Sequence, residues 1–124
     1  MSVTSIVNAS VQFSGGVEGP SNVIMPQIIN TSSVDLKVTA ALTVGFQSFA
    51  TIVGTLAQSL TNTKGVIIIP ASGQTGTITF KGVTGDTGIP ISATNASIIS
   101  WDTYTSTAGL TIATATVTAT LIFY

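Results

Sequence analysis

The chain has 124 residues, 44% of them hydrophobic and only 6% charged, with a formal net charge of −1, against roughly 25% charged residues in an average soluble domain. That length fits one domain spanning 1–124, and the hydrophobic content excludes a disordered chain. There is no Arg, and Lys37, Lys64 and Lys81 are the only basic residues, too few to track a phosphate backbone or hold an anionic membrane surface.

Nucleic acid and membrane are therefore not expected partners. The polar surface must come from hydroxyls and amides, supplied by 22 Thr, 14 Ser, 5 Asn and 5 Gln. A surface so poor in charge offers little protection against self-association, so a homo-oligomer or a component of a larger assembly is expected. With no Cys, neither disulfides nor thiolate metal sites are available. The opening MSVTSIVNASVQF has no basic segment leading into an apolar run, so no secretory signal is expected in the sequence as given.

Taken in chain order, the dominant period is two, which sets alternate side chains on opposite faces of a strand. Val3, Val7, Ala9, Val11 and Phe13 share one face of a first segment, and Gly15-Gly16 and Gly19-Pro20 mark a loop. A strand follows over 22–29. From Val34 to Val44 the even positions are all apolar and the odd ones nearly all polar, which predicts one core face and one wet face. In FQSFATIVGTLAQSL, Phe49, Ile52, Val53, Leu56, Ala57 and Leu60 recur at helical spacing. Branched Thr51, Ile52, Val53 and Thr55 and the interior Gly54 oppose a helix there, so at most one short helix, about 47–60, is expected. Further strands are expected over 66–70, 77–81, 89–93, 96–101 and 110–124.

In the last of these, Ala113, Ala115, Val117, Ala119, Leu121 and Phe123 point one way and Thr114, Thr116, Thr118 and Thr120 the other. Leu110 and Ile112 are in the opposite phase, so a bulge near 112 and 113 is expected. Seven to nine short strands rich in Ile, Val and Thr predict an all-β, single-domain β-sandwich of jelly-roll type.

The chemistry on offer is sparse. His is absent, and Glu18, Asp35, Asp86 and Asp102 are the only carboxylate side chains. A hydrolytic triad lacks its base, and two-carboxylate chemistry has only Asp86 and Asp102 to draw on. GVTGDTG lacks the spacing and the Lys of a phosphate-binding loop. Calcium takes six to eight oxygens, more than these carboxylates suit. No enzyme activity, metal or cofactor is expected. Glycosylation patterns at Asn8, Asn30 and Asn95 carry weight only on a secretory route.

Residues 64–102, KGVIIIPASGQTGTITFKGVTGDTGIPISATNASIISWD, place a buried IIIP strand, a Gly-containing turn, an alternating TITFKG strand and a GDTG turn in succession. That third of the chain resembles small virion structural proteins of tailed bacteriophages. The resemblance implies a virion protein made in the host cytoplasm that decorates or cements a capsid, or serves as a spike, fibre or tail accessory. Its partners would be further copies and a capsid or tail protein. In this reading Gly82, Gly85 and Gly88 serve positive φ or close approach, and Asp86 closes its own turn.

Phe46, Phe49, Trp101, Tyr104 and Tyr124 are the large side chains that could anchor contacts, while core packing competes for Trp101 and Phe80. A different class of function rests on WDTYTST, where Trp101, Asp102 and Tyr104 have the chemistry to stack and hydrogen-bond a glycan, as in a carbohydrate- or receptor-binding module. The long alternating end LTIATATVTATLIFY also suits a pilus-type subunit that exchanges strands, and its threonine face an ice-binding array. A solvated strand face is the preferred account of the threonines, since Thr has high strand propensity.

Overall fold

The computed structural model describes residues 3–8, 10–13, 21–24, 28–32, 36–83 and 85–124. In chain order its strands are β1 (Val3–Val7), β2 (Ser10–Phe13), β3 (Ser21–Ile24), β4 (Ile28–Ser32), β5 (Lys37–Leu42), β6 (Gly45–Ser48), β7 (Gly65–Pro70), β8 (Thr77–Lys81), β9 (Ile89–Ile91), β10 (Ser97–Ser100), β11 (Gly109–Ala113) and β12 (Val117–Phe123). One four-stranded sheet has the order β10-β7-β12-β5 and a second the order β6-β11-β8-β9, with every pairing antiparallel.

Pairing is nested. β5 pairs with β12, β6 with β11, β7 with β10 and β8 with β9. Residues 36–124 are thus a single long antiparallel hairpin whose tip lies between β8 and β9. It wraps so that β12 also pairs with β7 and β11 with β8. This is the strand order of a jelly roll, so the fold is an all-β sandwich of that type. The rolling has an evident driving force: Val66, Ile68, Val117, Leu121 and Phe123 of the first sheet and Ile78, Leu110 and Ile112 of the second are all buried in one core, and only closing the ribbon on itself hides both sets.

Residues 77–81 form β8 as expected, and β5 shows the expected alternation, with Leu36 and Leu42 buried and Lys37, Thr39 and Ala41 exposed. The phase ends before Val44, which is 60% exposed, because the chain turns there to change sheets. The one short helix allowed for at about 47–60 is present, with its bounds set by its neighbours. Residues 45–48 are β6, recruited by pairing with β11; α1 covers only Phe49–Val53, followed by a 3-10 segment over Gly54–Asn62. Ser48 caps α1 by accepting from Thr51 N at 3.2 Å, and Gly54, at φ 70°, ends it.

The expected bulge is also corrected. Residues 110–124 are two strands in opposite sheets, joined by a tight turn in which Thr114 takes φ 67° and Ala115 N donates to Ala113 O at 2.9 Å. The phase reversal therefore marks a change of sheet.

The N-terminal segment is a nested hairpin. β1 pairs with β4 and β2 with β3, and among the described residues these four strands pair with neither sheet of the sandwich. The loop expected at Gly15-Gly16 and Gly19-Pro20 lies outside the described residues.

Candidate functional site

The turn at the tip of the long hairpin is closed by its acid. Val83 N donates to Asp86 Oδ2 at 3.1 Å, and Asp86 N to Val83 O at 3.3 Å. Gly85 and Gly88 have φ of 95° and 83°, a region costly for any side chain. At Gly88 a Cβ would also lie 2.6 Å from Thr79 Cγ2 and 2.7 Å from Phe80 O. Gly82 has neither feature: a Cβ there would meet only the Asp86 carboxylate, at an ordinary 3.5 Å. Asp86 is exposed, and its carboxylate is engaged within the loop. Among the described residues no three His, Cys, Asp or Glu gather into a set able to hold a metal.

Trp101 and Tyr104 do come together, 5.9 Å between ring centroids. The Trp101 ring also lies 6.0 Å from Phe49, which in turn packs against Phe80 at 6.2 Å and edge-on to Phe123 at 5.4 Å. Trp101 Nε1 donates to Thr63 O at 2.8 Å. Asp102 is exposed, and its backbone carbonyl accepts from Lys64 Nζ at 3.5 Å. The Tyr104 hydroxyl is buried with no hydrogen-bond partner, and desolvation raises its pKa above the usual phenol value. The cluster therefore reads as the lateral wall of the core, with one aromatic tip left unsatisfied.

Of the other candidate anchors, Phe49 and Tyr124 are fully buried, the latter with its hydroxyl 2.7 Å from Ser100 Oγ and donating to Ile99 O at 3.2 Å. Neither can meet a partner. Phe46 is 39% exposed on the edge strand β6.

The least expected surface is the outer face of the first sheet. Register places Ile98, Ile67 and Ile122 in one row across β10, β7 and β12, with Lys37 of β5 at its end. The next row holds Ile69, Thr120 and Thr39, the two threonine hydroxyls 2.9 Å apart. Ile98 and Ile69 are 45% and 41% exposed. This sheet is apolar on both sides. The signal was in the sequence: an unbroken VIII run, where alternation would mark a half-wet strand, is the pattern of a strand covered on both faces. Burial expected for the whole IIIP strand does not hold at Ile69, which is 41% exposed, because nothing in the sequence says which neighbour covers the second face.

What these features define is a jelly-roll sandwich whose distinctive chemistry is apolar surface. Compared with family models, curated proteins and solved structures, the chain matches none. No helix among the described residues is long and apolar enough to cross a membrane.

Proposed function

We propose that this chain is a non-catalytic structural protein of a virus particle, of the kind carried by tailed bacteriophages, assembling on a capsid or tail through burial of surface. The observation that carries the reading is the row Ile98, Ile67 and Ile122 with neighbouring Ile69 on an open sheet face, in a chain whose net charge of −1 opposes association weakly. Jelly rolls recur in viral shells, though also in lectins and cupins, so the weight falls on the surface more than on the fold. Its partners are further copies of itself and a shell or tail protein, and its place is the virion after synthesis in the host cytoplasm.

The geometry favours this role over glycan binding, because Trp101 is packed against Phe49 and Tyr104 and its indole N–H is held by Thr63. Mass spectrometry of particles purified from a producing host, together with sedimentation of the pure chain over a wide concentration range, tests it. The chain should be recovered in particles at a fixed copy number and should self-associate. A strict monomer that is absent from particles would overturn the proposal.

A further inference from the structure

Two incomplete structures stand in this chain. The first is the outer isoleucine face described above. The second is the N-terminal ribbon, in which Val7 lies opposite Ile28, Ile6 opposite Ile29 and Val11 opposite Val23. A two-stranded ribbon is marginal in water without further packing. The sequences of β1 to β4 contain no Asp, Glu, Lys or Arg, so the ribbon can enter an apolar contact without desolvating a charge of its own.

We propose that the ribbon is an assembly arm that covers the outer isoleucine face on a second copy, each copy giving its arm and receiving the other's. This inference rests on the assembly reading above.

Size supports the match. Three strands at about 4.8 Å and six residues at about 3.3 Å make a face of about 14 by 20 Å, or roughly 300 Å². One such contact falls well short of the roughly 800 Å² per partner of a standard interface. Reciprocal exchange makes two contacts with two surfaces each, on the order of 1,200 Å² in total, the lower bound of stable interfaces.

Exposure favours the second copy over the chain's own face. Within the single chain Ile98 and Ile69 remain 45% and 41% exposed, and among the described residues β1 to β4 pair with neither sheet of the sandwich. Leu36, adjoining β5, is buried, and its carbonyl accepts from Phe123 N at 3.1 Å, which fixes the sandwich end of the connection and leaves the ribbon outside it.

The test is complementation in the full-length chain, read by sedimentation velocity. One variant alters the face (Ile69→Lys with Ile98→Lys). Two others alter the ribbon, as Ile6→Lys with Ile29→Glu or Val7→Lys with Ile28→Glu; each keeps an attractive cross-strand pair and so preserves the hairpin. The face variant and one of the ribbon variants should each self-associate at least about tenfold more weakly than the parent, because a buried charge must be desolvated. Mixing the two leaves one of the two arm–face contacts intact, so the mixture should associate more strongly than either variant alone and more weakly than the parent; that gain on mixing also shows that both fold. Cross-linking adds a direct reading in a chain without Cys: copies carrying Ile69→Cys should form mixed disulfides with copies carrying Ile29→Cys or Ile28→Cys.

If the parent self-associates and neither ribbon variant weakens it, the arm is refuted while the assembly reading stands; face-to-face packing would behave this way. A mixture that associates no more strongly than either variant alone, or mixed disulfides no more frequent than disulfides between two copies carrying Ile69→Cys, also overturns the arm. A parent that stays monomeric overturns it too, and absence from particles then removes the assembly reading with it.

Discussion

Substitutions at the tip turn separate a structural turn from a ligand site because the turn's geometry ranks them in advance. Gly85 has φ 95° with open space around its Cβ position, so Gly85→Ala adds only backbone strain, about 1–2 kcal/mol. Gly88 combines φ 83° with Cβ approaches of 2.6 and 2.7 Å to Thr79 Cγ2 and Phe80 O. One of those neighbours is backbone in a paired strand and cannot move aside cheaply, so Gly88→Ala should cost about 2–4 kcal/mol. Gly82→Ala, with only a 3.5 Å contact to the Asp86 carboxylate, should cost under about 0.5 kcal/mol. Asp86→Asn keeps an oxygen acceptor for Val83 N and loses only the charge assistance of an exposed bond, about 0.5 kcal/mol. Urea denaturation followed by fluorescence and circular dichroism measures all four, and a common m value keeps the comparison two-state. The expected order of cost is Gly88 first, Gly85 second, then Asp86 and Gly82 together. A chelator should leave every midpoint unchanged. Gly88→Ala at under about 1 kcal/mol would refute the steric argument. An Asp86→Asn variant that folds normally but loses particle binding would refute the turn as the whole role of that carboxylate.

Phe49, fully buried where both sheets and the α1 entry meet, touches the rings of Phe80, Trp101 and Phe123; Phe49→Ala should cost about 4–5 kcal/mol, the upper end for such truncations, and Phe49→Leu about 1–2 kcal/mol, both read as urea midpoints. Tyr104→Phe should be neutral or stabilising by up to about 1 kcal/mol, because it deletes a buried hydroxyl without a partner. The raised Tyr104 pKa sets a sign as well. The folded state holds its phenolic proton more tightly than the unfolded one, so this contribution is complete below about pH 10 and is lost as pH rises through the folded value. Tyr104→Phe should flatten that alkaline decline in thermal melts; an unchanged slope would assign it to other groups.

Much of the sandwich was legible because strand formation here is a local property. Branched side chains, alternating or in a run, favour extended backbone wherever they cluster, and β5, β7 and β8 follow directly from Val38-Thr39-Ala40, the VIII run and TITFK. The role of Asp86 in its turn was readable for the same reason, since its bonds stay within four residues.

Local pattern could not decide where the chain changes sheet. Thr114 at φ 67° turns the chain without the glycine that would have announced it, and β6 exists because β11 offers it hydrogen bonds in a stretch with helical spacing. Nor could local pattern tell core from surface among large side chains. Phe49 and Tyr124 are buried while Ile69 and Ile98 are open, because burial depends on which sheet lies opposite, a relation between residues far apart in sequence. The composition alone determined that this surface would be nearly uncharged. That its isoleucines align in a row across three strands was decided by the register of the rolled hairpin, which forms only when both sheets close over one core.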